Sequence, residues 1–221
     1  MTRPEPLFLA LGEPEAPAGR LDIGARAAVL AALARDRAPA LFAEMRRVTA
    51  QSPFRHMITQ SGWRMSVANS NCGAAGWVSD RSGYRYDRID PDTGQPWPAM
   101  PALFRELAVE AAEAFGFGGF RPDACLMNRY APGARLSLHQ DRNELDLDQP
   151  VVTVSLGLPA IFLWGGARRE DPTVKVRLGH GDVMVWGGQD RLNFHGVRTL
   201  ADGDHPLAGR ARYSLTFRKA L

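Results

Sequence analysis

The chain has 221 residues, 45% hydrophobic and 23% charged, the make-up of a soluble globular chain with one core, which excludes a largely disordered or collagen-like protein. Its longest purely apolar run, Ala27 to Ala34, is eight residues, against about 20 for a helical membrane span. The start, Met1 to Pro14, lacks secretory or transit-peptide character, so a cytoplasmic protein that does not engage a membrane is expected.

The formal charge of +3 rests on 27 basic side chains, of which two, Lys175 and Lys219, are lysine. An arginine-rich surface suits nucleic acid or a diacid ligand; codon usage in a GC-rich genome would produce the same bias.

Residues 1–22, rich in Pro, Gly and Glu, read as an irregular arm, and 23–221 as a single domain. Ile23, Val29, Leu30 and Leu33 over an Ala-rich background predict an amphipathic helix from Ile23 to Asp36. Pro39 ends or restarts it, and a second helical stretch runs to about Val48. Residues 51–100 hold Trp63, Trp77 and Trp97 among many Gly, Pro, Ser and Asn, a composition of short strands and long functional loops. A helix from Ala102 to Phe115 sets Leu103, Phe104, Leu107 and Ala111 on one face, with Gly116 past its end. After Pro122 the chain reads as strands: Val151–Leu156, Ile161–Trp164 and Val174–Leu178, then Gly179-His-Gly-Asp182 as a hairpin turn into Val183–Trp186. This spacing implies an antiparallel barrel or a double-sheet jelly roll. Cys72 and Cys125, without a CxxC partner, support neither a disulfide framework nor a zinc knuckle.

The chemistry concentrates in three places. In Leu138-His139-Gln140-Asp141 an extended backbone points i and i+2 to one side, so His139 and Asp141 can close on one ion. His195 supplies a second imidazole from beyond the hairpin. Two imidazoles and a carboxylate form the facial triad of non-haem Fe(II), which leaves positions open for a cosubstrate and dioxygen. His-x-Asp arises by chance in many chains, and a zinc hydrolase could use the same ligands.

In Arg212-Tyr-Ser-Leu-Thr-Phe-Arg218, alternation sets Arg212, Ser214, Thr216 and Arg218 on one face and Tyr213, Leu215 and Phe217 on the other. Two guanidinium groups inside a barrel ask for bound anions, and a 2-oxo acid with two carboxylates would answer both; the alternative is an edge strand with a wet polar face. Six residues of strand span roughly 20 Å, longer than a five-carbon diacid. Either twist and the long stems bring the two heads together, or each arginine holds one end. Asn128 and Tyr130 project together from another strand.

These segments resemble the bacterial AlkB alkylated-DNA repair dioxygenases. The resemblance is carried by Asn128-Arg-Tyr-Ala-Pro-Gly-Ala-Arg-Leu-Ser-Leu-His-Gln-Asp141, Val154-Ser-Leu-Gly-Leu-Pro-Ala160, Trp186-Gly-Gly188 and Arg212-Tyr-x-Leu-Thr-Phe-Arg218. It extends from about Gln51 to Arg218, through Ser52-Pro-Phe-Arg55, Asn71-Cys-Gly73 and Trp97-Pro-Ala-Met-Pro101.

What it implies is a mainly β fold with flanking helices: a double-stranded β-helix (jelly roll) at about 122–221, an N-terminal helical region and a nucleotide-recognition lid at about 51–100. Fe(II) would sit on His139, Asp141 and His195, the catalytic centre. 2-Oxoglutarate would chelate it near Arg218, with its far carboxylate on Arg212 and with Asn128, Tyr130 and Ser214 beside it.

The implied reaction, driven by dioxygen, is demethylation of bases of the N1-methyladenine and N3-methylcytosine type in single- or double-stranded DNA by a monomer, releasing formaldehyde. RNA bases, a protein side chain, or nucleic-acid binding without catalysis are the alternatives. A flipped base would lie between Trp77 and His139. Tyr84 and Tyr86 share the lid, and Arg81, Arg135 and Arg169 are candidates for the substrate strand. The chain departs from the family twice. Asn143 stands where members carry an acidic residue facing the base, and Ser214 replaces an amide between the two strand arginines. His56, His180 and His205 match no ligand role.

Overall fold

The structure, a computed structural model, describes residues 19–221. In chain order the elements are β1 (Gly19–Asp22), β2 (Ala27–Ala31), α1 (Ala38–Thr49), β3 (Ala68–Gly73), β4 (Gly76–Asp80), β5 (Gly83–Asp87), α2 (Ala102–Ala114), β6 (Ala124–Tyr130), β7 (Leu136–His139), β8 (Val151–Gly157), β9 (Ala160–Trp164), β10 (Val174–Leu178), β11 (Val183–Trp186), β12 (His195–Val197) and β13 (Arg212–Arg218). A seven-stranded sheet runs β1-β2-β11-β8-β13-β6-β3, a four-stranded sheet runs β10-β9-β12-β7, and β4-β5 form a separate hairpin. Pairing is antiparallel throughout these sheets, and two sheets face to face give the jelly roll.

Period-two alternation assigns the two faces of the large sheet. Ala28 and Leu30 of β2, Val183 and Val185 of β11, Val152 and Val154 of β8, and Leu215 and Phe217 of β13 join the helices in one core. Phe42 of α1 meets Tyr213 edge-on at 5.6 Å, and Phe104 of α2 meets Phe217 at 6.1 Å. The opposite face enters the space between the sheets. There Ala27, Val29, Met184 and Trp186 are apolar, whereas Thr153, Asn128, Arg212, Ser214, Thr216 and Arg218 are buried and polar. The inner face therefore has an apolar end, under β2 and β11, and a polar floor over β8, β13 and β6.

Several expectations change. The helix expected over 23–36 is strand β2, with Ala27–Leu30 all buried. A continuous run buried on both faces carries no period, and alanine hides the distinction. Of the expected arm, 19–22 form edge strand β1 against β2, and 1–18 lie outside the described residues. Of the two expectations for Pro39, a helix start is the one observed, since it lies in the first turn of α1. Gly179–Asp182 make no hairpin: β10 pairs with β9, whereas β11 pairs with β2 and β8, so this turn carries the chain from one sheet to the other. Asp182 fixes the crossing by accepting from the Gly179 and Ala32 amides at 2.7 and 2.9 Å. Within 51–100, β3 belongs to the large sheet and only β4-β5 stand apart. A wet edge for β13 is excluded, since β8 and β6 flank it on both sides.

Gly157 ends β8 at φ +86°, and a Cβ there would lie 2.5 Å from the Ala211 carbonyl oxygen. Left-handed strain and overpacking act together at this position, so Gly157→Ala is expected to destabilise the fold by about 3 kcal/mol, read as a lower midpoint in urea unfolding at unchanged m.

Candidate active site

Strand pairing brings two of the three expected ligands together. His195 of β12 is the cross-strand partner of His139 of β7. At Gly196 the strands approach so closely that a Cβ would sit 2.7 Å from the Leu136 carbonyl oxygen. Asp141, two residues past β7, completes the cluster, and ligand atoms of His139, Asp141 and His195 all lie within 4.8 Å of one another.

Each histidine is oriented from behind: the Nδ1 atoms of His139 and His195 lie 2.9 Å from the carbonyl oxygens of Ser137 and Asn193. A carbonyl only accepts, so Nδ1 carries the proton and Nε2 keeps its lone pair. Those Nε2 atoms face Asp141, at 3.8 Å from Oδ1 and 3.7 Å from Oδ2 respectively. Phe162, Trp164 and Trp186 pack around the His195 ring. Burial foremost, then the neighbouring His139, pushes His195 down to about 3, so it stays neutral and able to ligate.

Burial opposes ionisation of Asp141, but the Arg218 guanidinium foremost outweighs it and holds the carboxyl well below the usual range. Arg218 donates to Asp141 Oδ2 from Nη2 and Nε at 2.8 and 3.1 Å. Glu144 also faces Arg218, at 3.4 Å, and accepts from Arg191 Nη2 at 3.1 Å and from the Tyr86 hydroxyl at 2.7 Å. Arg191 in turn donates to the Asp141 carbonyl oxygen at 2.6 Å. Two buried cations thus face two buried carboxylates beside the metal position, the condition for keeping such charges out of water.

Arg212, 1% exposed, is in the opposite situation. Its Nε meets Ser155 Oγ at 3.2 Å and its guanidinium lies over the Tyr130 ring at 4.9 Å, but its Nη1 has no hydrogen-bond partner. Burial depresses this guanidinium. A buried N–H without an acceptor is costly, and a ligand carboxylate would satisfy it. Asn128 accepts from Asn69 Nδ2 at 2.5 Å and donates to Ser214 Oγ at 3.2 Å. The donor set therefore fits both groups: a divalent ion on two imidazole Nε2 atoms and a carboxylate, and an anion on Arg212.

A cavity of about 1010 Å³ joins these parts, running from Arg212 and Arg218 past the triad to Trp77, Tyr84, Arg135, Asn143 and Arg169. Trp77 and Tyr84 stack on each other at 5.6 Å. Arg169 donates to the Leu138 carbonyl oxygen at 2.8 Å and lies over Phe194. Arg81 does not line this cavity. Tyr86 turns inward to Glu144 and is no candidate for a phosphate contact. Reading the sequence missed Glu144, Arg191 and Asn69, whose partners lie dozens of positions away, and Trp63, 76% exposed at the cavity mouth. Only the position of Glu144 beside the His-x-Asp motif hints at its role.

Residues 30–218 match the model of the 2OG-Fe(II) oxygenase superfamily. The chain is 54% identical over 198 residues to the alpha-ketoglutarate-dependent dioxygenase AlkB of Escherichia coli (strain K12), covering 90% of this chain and 92% of that protein. It is 41% identical over 171 residues to the AlkB homolog of Caulobacter vibrioides (strain NA1000 / CB15N), covering 77% and 76% of the two. The solved structure of OsALKBH1 superimposes with a TM-score of 0.79 at 26% identity, over 91% of this chain and all of that one.

Removing Glu144 would leave Arg191 and Arg218 short of a buried counter-charge. Glu144→Ala is expected to cost about 3 kcal/mol or more, whereas Glu44→Ala, which breaks an exposed pair with Arg47, costs about 0 to 1 kcal/mol. Urea unfolding of the two variants checks the difference.

Proposed function

Because this chain belongs to the 2OG-Fe(II) oxygenase superfamily, in its bacterial AlkB group, we propose that His139, Asp141 and His195 hold Fe(II), that Arg212 anchors 2-oxoglutarate, and that the cavity mouth receives an alkylated base. The chain is a 2-oxoglutarate-dependent dioxygenase, and its reaction is oxidative dealkylation of nucleic acid in the AlkB manner. The observation that carries the residue assignment is one cavity holding both the triad and the unpartnered guanidinium N–H of Arg212.

When bound, iron and 2-oxoglutarate supply oxidation by dioxygen: one oxygen atom ends in succinate, after loss of carbon dioxide, and the other on the alkyl carbon, which leaves as formaldehyde. The protein's share is binding, orientation and exclusion of water. Arg212 takes the far carboxylate through its fork, with Asn128, Ser214 and the Tyr130 ring shaping the pocket. Arg218, tied to Asp141 Oδ2, keeps Oδ1 and the two Nε2 atoms converging, and meets the near carboxylate of the cosubstrate as a shared cation. Arg212 and Arg218 line one cavity, which supports the reading in which each arginine holds one end of the diacid.

Trp77 and His139 flank the base, Tyr84 stacks on Trp77 at the outer side, and Arg135 and Arg169 meet phosphates. Arg81 stays a candidate only for a longer strand reaching beyond the cavity. The substrate is DNA, single- or double-stranded, with RNA a second possibility left to assay. The domain takes in β1 and is read as 19–221, with the lid inside 51–100, acting as a cytoplasmic monomer; among the described residues no helix is long and apolar enough to cross a membrane.

The direct test is formaldehyde and succinate release from an N1-methyladenine oligonucleotide with Fe(II), 2-oxoglutarate and dioxygen, each omitted in turn. Every omission should abolish both products, and product formation without 2-oxoglutarate would sink the assignment. Arg212→Lys keeps the charge but loses the fork, so affinity for 2-oxoglutarate should fall about tenfold, or about 1.4 kcal/mol; calorimetry with a redox-inert divalent ion measures it.

Asn143, exposed on the cavity lining, offers a cationic base an amide in place of a carboxylate. Asn143→Asp should raise the ratio of kcat/KM for N1-methyladenine over that for neutral etheno-adenine by roughly tenfold, the worth of a hydrogen bond to a charged group. A flat ratio in single-stranded oligonucleotides of one sequence would show that Asn143 does not face the base.

A further inference from the structure

A two-stranded hairpin is marginal on its own in water, so the position of β4-β5 depends on what it docks against. At β4, the Asn71 side chain brackets the Trp77 backbone, accepting from its N–H and donating to its carbonyl oxygen, both at 3.0 Å. Ser79 Oγ donates to the Ile58 carbonyl oxygen at 2.6 Å. These contacts hold the strand but do not reach the metal position.

Strand β5 makes the deeper connection. Tyr86 is the cross-strand partner of Trp77, and Tyr84 faces Ser79 two residues away. Partners in an antiparallel pair point to the same side, so Tyr84, Trp77 and Tyr86 share one face of the hairpin. Tyr84 is 48% exposed, Trp77 lies against it, and the Tyr86 hydroxyl donates to Glu144 Oε1 at 2.7 Å. Glu144 belongs to the same buried charge group as Asp141, through Arg218 and Arg191. Two cations and two carboxylates already balance there, so Tyr86 enters as a neutral phenol whose proton is held between oxygens.

We propose that the Tyr86–Glu144 hydrogen bond registers the aromatic lid on the buried charge group that holds Asp141, making Tyr86 a positioning residue that sets where Trp77 stands in the cavity that His139 also lines. Resting on the reading of Trp77 as the wall of the base site, the proposal adds what places that wall. The path is short: Trp77 is paired across the hairpin with Tyr86, and direct polar contacts then run from Tyr86 to Glu144, Glu144 to Arg218 and Arg218 to Asp141. A lid registered this way holds the base at a set distance from the ion without a residue of the lid touching the ion.

Tyr86→Phe removes one oxygen atom and leaves the ring in place. In hydrogen–deuterium exchange of the metal-free protein, residues 76–87 should lose protection about tenfold while 212–218 keep theirs. Tyr84→Phe, which deletes an exposed hydroxyl from the same face, is the control and should leave exchange unchanged. In the loaded enzyme, KM for the methylated oligonucleotide should rise about tenfold or more, with kcat at saturation and KM for 2-oxoglutarate within about twofold of the parent.

Unchanged exchange at 76–87 overturns the proposal. So does equal loss of protection at 212–218, which would make the phenol a support of the charge cluster and not of the lid. An unchanged oligonucleotide KM overturns it as well. If the parent enzyme turns over no methylated base, the substrate reading fails, and the exchange experiment still decides the coupling.

Discussion

A guanidinium buried against a carboxylate, Arg218 on Asp141, is the contact on which the rest of the site depends. Neither charge would be tolerated alone in the space between the sheets, because each would forfeit its hydration without an opposite charge in return. Paired, they fix each other's orientation. Both donors of Arg218 fall on Oδ2, so the carboxylate cannot swing freely, and its other oxygen faces His139. The pair is set within a larger balance in which Glu144 and Arg191 supply the second carboxylate and the second cation. Asp141, the one member of the triad outside a strand, gains the rigidity of a strand in this way, because Arg218 sits on β13, hydrogen-bonded on both edges.

That rigidity comes from the opposite face of the same strand. Leu215 and Phe217, with Tyr213 partly buried beside them, pack into the helical layer. The apolar burial that stabilises the fold and the polar face that serves the cavity are therefore alternate residues of one segment. Arg212 shows how far this separation goes. A buried donor with no partner lowers stability, and it is tolerated at the end of a well-packed strand where it lines the cavity. Stability is supplied by the helix side and given up, in small part, on the cavity side.

Strong alternation made β13 legible. With arginine at both ends and hydroxyl residues between, one face had to be polar and the other apolar, whatever the neighbouring strands were. His139 and Asp141 were legible because their two-residue spacing is local, and their pairing with His195 needed only that a later strand return beside β7. The resemblance to a known family then supplied the roles. Where local pattern was weak, the reading failed. Ala27–Ala31 is apolar at every position, so it shows neither the period of a helix nor that of a strand, and burial on both faces of the large sheet decides for strand. Gly179–Asp182 has the composition of a hairpin turn, but turn chemistry specifies only a change of direction. Which sheet β11 joins is decided by the apolar face it shares with β2 and β8.

The same distinction separates the deep site from its mouth. Behind the triad the charged side chains are buried, and burial demands a partner, so finding one residue constrains the next: Asp141 requires a cation, Arg218 a second carboxylate, Arg191 the carbonyl oxygens of Asp141 and Gln149. Glu144 escaped notice because such demands are satisfied in space, across dozens of residues, and leave no spacing to read. At the mouth the logic is inverted. Trp63, Tyr84 and Asn143 are exposed, and nothing in the fold requires a tryptophan, a tyrosine or an amide at those positions. An exposed aromatic or amide beside a cavity is answerable to what enters the cavity and not to the core behind it. Asn143, exposed on the cavity lining and two residues from the buried carboxylate of Asp141, lies on that boundary.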